Sequence, residues 1–248
     1  VTNQKGGVGK TTTAVNLSAC VAAKGKKVLL VDIDPQGNAT SGLGKAGTEG
    51  ATIYDVLIGE TTAKEAVVDT GFGPLDLIPT AIELAGAEIE LVAVEERERL
   101  LKAALEPLRA DYDFIFIDCP PSLGLLTLNA LTAVDSVLIP IQCEFYALEG
   151  VSQLVSTIDL VRKSLNPGLV IQGVILSMFD GRTKVHSQVV GELREHFGDM
   201  VFKTIIQRNI RLSEAPSHGK PIILYDVSSN GNWNYLNLAK EVLEKNEQ

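Results

Sequence analysis

Six aliphatic runs separated by helical stretches place the strongest limit on how this chain of 248 residues can fold. In order, the runs read KKVLLVDID, LDLIPT, YDFIFIDCPP, DSVLIPIQ, LVIQGVILSMF and MVFKTII. Each is continuously apolar rather than alternating, which is typical of strands buried on both faces of a parallel sheet. Strands that alternate with helices along the whole length predict a doubly wound α/β fold, a mainly parallel sheet flanked by helices.

Helical patterns fill the intervals between these runs. Residues 11–24 are predicted to form a helix closed by Gly25, and residues 148–165, 184–197 and 235–244 three more. Residues 81–109 are also predicted to be helical, with the charge run VEERERLLKAALEPL on a solvated face. Because no repeat, low-complexity tract or linker interrupts the pattern, a single domain over residues 1–248 is predicted.

The chain opens with a glycine-rich loop, NQKGGVGKTTT. Gly9, Lys10 and Thr11 match the end of the P-loop pattern, but Gln4 occupies the position of its first glycine. The loop is therefore a variant, with an additional lysine, Lys5, just inside it. Backbone N–H groups of such a turn close around phosphate oxygens, and the following helix adds its positive dipole end. The pattern predicts a P-loop NTPase, and the alternative is a glycine turn without a ligand.

ATP and Mg²⁺ are the ligands expected at this loop. Lys10 is predicted to neutralise charge on the β- and γ-phosphates, and the Thr11 hydroxyl to complete a magnesium shell. The predicted nucleotide contacts in the loop are Lys5, Gly6, Gly7, Val8, Gly9, Lys10, Thr11 and Thr12. Because Val1 lies almost against the loop, we expect the natural chain to carry a few more N-terminal residues that form an apolar strand.

Three carboxylates lie at the ends of two of the predicted strands. Asp32 and Asp34 end the run VLLVDID, and Asp118 ends FIFID, so all three should lie beside the phosphate loop. Asp118 is predicted to hold magnesium, usually through water, and Asp34 to orient the attacking water. The predicted metal site therefore comprises Thr11, Asp34 and Asp118. The alternative is that these acids, Asp32 and Asp34 above all, only cap helices and form turns.

The distribution of charge limits the classes of function. The formal net charge is −9, with 7 basic against 19 acidic residues over positions 51–178, which disfavours a bulk nucleic-acid binder. Residues 179–220 carry 7 basic against 5 acidic residues and leave room for a local basic patch. Cys20, Cys119 and Cys143 form no closely spaced pair and are predicted to be small buried thiols. No apolar run approaches the roughly 18 residues of a membrane span.

Four segments in this order carry a resemblance to a known family: KGGVGKTTT, VLLVDIDPQGNATSGLG, IDCPPSLGLLTLNAL and RNIRLSEAPSHGKPI. Together they resemble the ParA/Soj-type chromosome partitioning ATPases, whose deviant P-loop contains a signature lysine. The resemblance covers almost the whole chain. It implies that Lys5 reaches across an ATP-bound dimer to the phosphates of the other subunit, while Lys10, Thr11, Asp34 and Asp118 keep the roles above. On the residues alone, Lys5 could also serve its own phosphates or point to solvent.

The resemblance also implies partners and a cellular location. The ATP-dependent homodimer would bind double-stranded DNA non-specifically in the cytoplasm, in association with the nucleoid. A centromere-binding protein of the ParB/Spo0J type would stimulate the otherwise weak hydrolysis. The cationic residues expected to contact DNA are Arg182, Lys184, Lys203, Arg208, Arg211 and Lys220. Taken singly, each is more often a solvated surface charge.

The loops after VILSMF and KTII are expected to line the adenine pocket, through Gln207, Arg208 and Asn209. Related chains commonly have proline at the position of Gln207, so the resemblance does not define the base contacts of this residue.

Two rival functions share the same loop class. A MinD-like membrane-associated positioning ATPase would end in a basic amphipathic helix, whereas this chain ends LNLAKEVLEKNEQ, with mixed charge. A metabolic enzyme is the other rival, either a ligase-like synthetase or an iron–sulfur reductase. The reductase needs cysteines placed for a shared cluster, which the surroundings of Cys119 and Cys143 do not suggest. Because the terminal segment is not a basic amphipathic helix, no membrane partner is expected.

Overall fold

The computed structural model describes residues 1–144 and 147–247, and within these residues seven strands form two sheets. The strands are β1 (Val28–Asp32), β2 (Val68–Asp69), β3 (Leu75–Ile78), β4 (Phe114–Asp118), β5 (Ser136–Gln142), β6 (Val170–Phe179) and β7 (Val201–Gln207). One sheet has the order β2-β3-β1-β4 and the other β5-β6-β7. Every pairing is parallel except that of β2 with β3. The predicted mainly parallel sheet is confirmed, and only the two-residue β2 was missed.

Helices of very different length connect the strands. They are α1 (Lys10–Ala22), α2 (Asn38–Gly42), α3 (Ile53–Leu57), α4 (Leu84–Glu90), α5 (Leu100–Leu105), α6 (Leu125–Ala133), α7 (Ala147–Ser164), α8 (Lys184–Phe197), α9 (Ile210–Glu214), α10 (Ile222–Tyr225) and α11 (Asn230–Asn246). The predicted helix 184–197 has the observed bounds, and the terminal helix is longer than the predicted 235–244.

The first two residues of the chain lie between the two sheets. The Val1 ammonium donates to the Ile117 carbonyl at 2.6 Å, and the Val1 carbonyl accepts from Cys119 N–H at 3.3 Å. Thr2 N–H donates to the Leu138 carbonyl at 3.1 Å. The start of the chain therefore bonds to β4 and to β5. Whether a strand precedes Val1 stays a prediction.

Helices cover both faces of the sheets. Leu30 of β1 packs in a buried cluster with residues of α1 and α11, whereas Leu29 and Val31 pack in a second cluster with residues of α3 to α6. A third cluster joins β5 and β6 to α7 and α8. Strands that are buried on both faces must be apolar throughout. This packing therefore explains the continuous apolar runs in the sequence.

The predicted helix over residues 81–109 is wrong in its middle. Val94 is extended, Glu96 has a φ of 51°, and α4 and α5 are separate helices. The buried Asn129 amide stabilises the interruption, since its Nδ2 donates to the Arg97 carbonyl at 2.8 Å and its Oδ1 accepts from Leu101 N–H at 3.0 Å. A side chain from α6 thus satisfies backbone groups that a continuous helix would have paired internally.

Candidate functional site

The phosphate loop runs from Asn3 to Gly9 and leads directly into α1. Gly7 and Gly9 have φ of 75° and 88°, in the left-handed region that glycine adopts without strain. Thr13 N–H donates to the Gly9 carbonyl at 2.9 Å, so the first helical turn closes directly behind the loop. This geometry leaves the first N–H groups of α1 for an anion.

Side chains from distant parts of the chain attach the loop to the second sheet. Asn3 Nδ2 donates to the Pro140 carbonyl at 2.7 Å, and Asn3 Oδ1 accepts from Lys5 N–H at 3.0 Å. Ser177 Oγ, at the end of β6, donates to the Val8 carbonyl at 2.8 Å. The loop is therefore positioned before any ligand arrives, which reduces the cost of ordering it on binding.

An open cavity of about 700 Å³ lies beside the loop, a volume suited to a nucleotide. Its lining includes Asp34, predicted to orient water, and most of the residues predicted to bind the nucleotide: Gly6, Gly7, Gly9, Lys10, Thr11, Thr12, Gln207, Arg208 and Asn209. Val8 is buried under the loop and, with Lys5 and Asp118, is not part of this lining. The structure thus brings together two loops that are almost 200 positions apart in the sequence.

Lys10 is buried at the base of the cavity. Its Nζ donates to the Lys5 carbonyl at 3.0 Å. Burial lowers the pKa of Lys10, and the carboxylates of Asp118 and Asp34 oppose that change. An ammonium with one hydrogen bond has further donors available, and phosphate oxygens in the cavity are the natural acceptors.

Asp118 is fully buried, and neither of its carboxylate oxygens has a hydrogen-bond partner among the described residues. Burial raises the pKa of Asp118 and the neighbouring Asp32 carboxylate raises it further, whereas the nearby Thr11 hydroxyl opposes the change without forming a well-aligned hydrogen bond. A buried carboxylate without a donor is unfavourable unless it binds a proton or a cation. Beside Thr11 and Lys10, this orphaned carboxylate fits a hydrated Mg²⁺ ion.

The described residues contain no cluster of three or more His, Cys, Asp or Glu side chains that could hold a metal ion by themselves.

Asp32 and Asp34 differ in their surroundings. Asp32 Oδ2 accepts from the N–H and from the Oγ1 of Thr40, both at 2.8 Å, and its Oδ1 accepts from Asp34 N–H at 3.1 Å. Asp32 therefore ties the loop after β1 to α2, in line with the structural alternative for that residue. Among the described residues, the Asp34 carboxylate accepts one hydrogen bond, from Gln36 N–H at 3.0 Å, and Asp34 lines the cavity. Its second oxygen remains available to a water molecule.

Lys5 points away from the cavity. Its Nζ lies 2.6 Å from Glu144 Oε2, just beyond the end of β5, and both side chains are partly exposed. Neither alternative for Lys5 describes this position, because the ammonium neither lines its own phosphate cavity nor points freely to solvent. No local sequence pattern could have predicted this ion pair, since Lys5 and Glu144 are 139 positions apart.

The cavity is also lined by residues that the sequence did not single out, among them Asn16, Ser177, Met178, Pro216 and Tyr235. Met178 has a φ of 53°, a strained backbone for a residue with a long side chain. It directly follows Ser177, which holds the loop. The only hint in the sequence was that β6 ends near this position.

The predicted DNA-contacting cations divide into two groups. Arg208 and Lys220 line the nucleotide cavity, whereas Arg182, Lys184, Lys203 and Arg211 do not. Arg182 pairs with Asp180 at 2.6 Å, and Arg211 pairs with Glu214 at 2.8 Å. Substitutions in the second group change the predicted DNA contacts without changing the lining of the cavity, so this group is better suited to a test of DNA binding.

Comparison with known proteins was made with this geometry in place. A family model described as an AAA domain matches residues 1–171. The sporulation initiation inhibitor protein Soj of Bacillus subtilis is 62% identical over 98% of this chain and 96% of its own length. The chromosome partitioning protein ParA of Myxococcus xanthus is 55% identical over 99% of this chain and 87% of its own.

Solved structures share the fold. A structure described as cobyrinic acid a,c-diamide synthase from Mycobacterium smegmatis, with bound ADP and magnesium, has a TM-score of 0.87 at 37% identity. It is matched over 100% of this chain and 94% of its own. The cell division ATPase MinD from Pyrococcus furiosus has a TM-score of 0.83 at 27% identity, over 98% of this chain and 97% of its own.

The fold and the phosphate loop define a P-loop ATPase of the MinD/ParA type. Its similarity to Soj and ParA extends over almost the entire chain at more than half of all positions. The chain belongs to the Soj/ParA family of chromosome-partitioning ATPases, which confirms the resemblance found in the sequence. Sequence identity to the MinD and synthase structures is lower, at 27% and 37%. Separately, none of the helices in the described residues is long and apolar enough to cross a bilayer.

Proposed function

We propose that this ATPase is a dimerisation switch in chromosome or plasmid partitioning. ATP and Mg²⁺ are its cofactors, and its ATP-bound homodimer binds double-stranded DNA without sequence preference. A centromere-binding partner of the ParB/Spo0J type stimulates its weak hydrolysis and so returns the dimer to monomers. Residues 1–248 act as one ATPase domain in the cytoplasm, associated with the nucleoid and not with a membrane.

The position of Lys5 is the observation that supports this proposal most. Its ammonium is held outside the cavity by Glu144, close to the rim of the phosphate loop. A cation in this position supports a contact with phosphates that a facing subunit presents. ATP then stabilises the dimer through a contact that ADP lacks, and such a difference in affinity between two states is what a switch requires.

Within one subunit, each remaining residue has a separate task. Thr11 and Asp118 are the residues that would hold Mg²⁺, which supplies charge neutralisation at the phosphates when bound. Lys10 binds the phosphate oxygens directly. Asp34 orients the attacking water through its unoccupied carboxylate oxygen, so hydrolysis depends on Asp34 while binding does not.

Replacing Glu144 by glutamine is expected to favour the dimer. The substitution removes the charge that holds Lys5, so the ATP concentration giving half-maximal dimer should fall by about threefold, in keeping with the modest strength of exposed ion pairs. Light scattering after size-exclusion chromatography, across an ATP titration, measures this directly. Asp159→Asn, which breaks the Arg162–Asp159 pair on α7, is the matched control. A dimer that needs more ATP in Glu144→Gln would contradict the holding role.

The exposed cations outside the cavity provide the test for DNA binding. Arg182→Glu together with Lys184→Glu, and separately Arg211→Glu, should weaken retention of a DNA duplex by the ATP-bound protein. Each lost phosphate contact should also reduce the slope of log affinity against log salt by about one. ATP hydrolysis should persist, because these side chains do not line the cavity.

Lys163→Glu, at an exposed position on α7, makes the same change of charge elsewhere and should leave DNA retention unaltered. Full retention by the Arg182, Lys184 and Arg211 variants would place the DNA surface elsewhere. Sedimentation with anionic vesicles in the presence of ATP separates DNA binding from the membrane alternative.

A further inference from the structure

One surface of the protein exposes large apolar side chains among carboxylates. Ile82, Ile89, Val92 and Val94 are 66%, 79%, 60% and 40% exposed, and all belong to one short segment around α4. We call these four residues, together with Ala85, the α4 face. Contiguous exposed apolar side chains framed by charge usually mark a binding surface in a protein of this kind.

The helical spacing shows that the α4 face is not the buried side of its helix. Leu84, Ala87 and Leu91 pack into the core, at the spacing of three and four that keeps residues on one side. Ile82, Ala85, Ile89 and Val92 follow the same spacing on the opposite side. The segment therefore has two apolar sides, of which packing within this chain uses one.

The charges around the α4 face determine which partner it fits. Residues 81–99 contain six glutamates, Glu83, Glu88, Glu90, Glu95, Glu96 and Glu98, against Arg97 and Arg99. Arg97 and Arg99 already pair with Glu98 and Glu96. An acidic surface repels DNA and anionic lipid, and a symmetric contact between two copies would set glutamates against glutamates. A basic protein segment with apolar side chains is the complementary occupant.

The α4 face also continues into the loop that contains Asp34. Ile82 lines an open cavity of about 310 Å³ together with Gln36, Gly37, Thr40 and the cationic Lys45, so the cavity itself suits an apolar side chain and not a second cation. Thr80 N–H donates to Thr40 Oγ1 at 3.1 Å, and that hydroxyl in turn donates to Asp32 at 2.8 Å. A side chain entering this cavity would touch the Asp34 loop directly and press on the threonine pair that fixes it.

We infer that the α4 face docks a basic, apolar segment of a protein partner, with one apolar side chain entering the cavity beside Gln36 and Gly37. Docking there changes the position of the Asp34 loop and so the rate of ATP hydrolysis. This effect on hydrolysis rests on the proposed function, whereas the binding itself does not.

The binding test uses a labelled 14-residue amphipathic peptide of leucine and lysine, followed by fluorescence anisotropy without nucleotide. The double variant Ile89→Ser and Val92→Ser should bind it at least about tenfold more weakly, because two exposed anchors are lost. Glu83→Gln with Glu95→Gln should also weaken binding and make it less sensitive to salt. Leu160→Ser, which removes an equally exposed side chain from α7, is the matched control.

Equal binding of the peptide by the wild type and the Ile89/Val92 variant would overturn the inference. So would equal binding of a leucine–glutamate peptide, which would indicate apolar adhesion alone. Vesicle binding or self-association that the same variant abolishes would assign the face to a membrane or to a second copy, and would likewise overturn it.

Hydrogen exchange over residues 35–40 measures the coupling to the Asp34 loop. The lysine peptide should change protection there in the wild type but not in the Ile89/Val92 variant. Altered protection without any ATPase activity would leave the docking intact and reject the proposed function. Binding without altered protection would reject the coupling.

Discussion

Lys10→Ala is expected to weaken ATP binding by about 100-fold or more. The Lys10 ammonium is a buried charged donor in the lining of the cavity, and hydrogen bonds to charged groups contribute about 1.5–3 kcal/mol each. Losing contacts with two phosphate groups therefore costs about 3 kcal/mol, which corresponds to roughly two orders of magnitude in affinity. Isothermal titration calorimetry with ATP and Mg²⁺ measures the loss.

The folded state should tolerate this change. Burial lowers the pKa of Lys10, which means that holding its ammonium in the free protein is unfavourable rather than stabilising. The unfolding temperature of Lys10→Ala without nucleotide should accordingly match or exceed that of the wild type. Lys27→Ala, at an exposed position before β1, is the control. Unchanged affinity for ATP in Lys10→Ala would remove the cavity from consideration as the nucleotide site.

Asp34→Ala is expected to reduce ATP turnover by about 100-fold or more while ATP binding persists. Orientation and activation of water by a positioned side chain contribute about 100- to 10,000-fold to a hydrolytic rate. Since ATP is then bound but not cleaved, the variant should accumulate as a dimer. Light scattering after size-exclusion chromatography should show a dimer with ATP and a monomer with ADP.

Two comparisons make the Asp34 experiment decisive. Asp135→Ala removes a carboxylate that lies at the surface near Arg109, and it should leave turnover unchanged. Combining Asp34→Ala with Lys5→Ala should abolish the ATP-dependent dimer, because the cation that we propose to link the subunits is then missing. Normal turnover in Asp34→Ala would reject the role of Asp34, and a protein that remains monomeric at saturating ATP would reject the switch.

The phosphate loop and the strands were predictable because their signals are local. Burial on both faces requires continuous apolar runs, and a left-handed backbone at Gly7 and Gly9 requires glycine. Both requirements are visible in a few neighbouring letters. The same local logic failed over residues 81–109, where periodicity predicted one helix and Asn129 of α6 stabilises an interruption.

The sequence narrowed the roles of the three aspartates near the phosphate loop to a few alternatives but did not assign a role to each. Asp32 and Asp118 are the last residues of β1 and β4, Asp34 lies two residues after β1, and all three have the same residue type. Only the fold gives Asp32 its donors from Thr40, leaves Asp34 in the cavity lining, and buries Asp118 with no hydrogen-bond partner in the part of the chain that the structure describes. These differences arise from contacts between elements that are distant in the chain, which no spacing of residues encodes.

The sequence by itself determined the class of this protein: a parallel α/β fold, a P-loop at its start, and membership of the partitioning ATPases. Tertiary structure alone decided that the Lys5 ammonium rests on Glu144, that Arg208 and Lys220 face the nucleotide cavity, and that α4 exposes a second apolar side. The physical reason is the separation in sequence of the residues that interact. Backbone conformation and burial leave a local pattern, whereas the pairing of one side chain with another depends on where the whole chain places both.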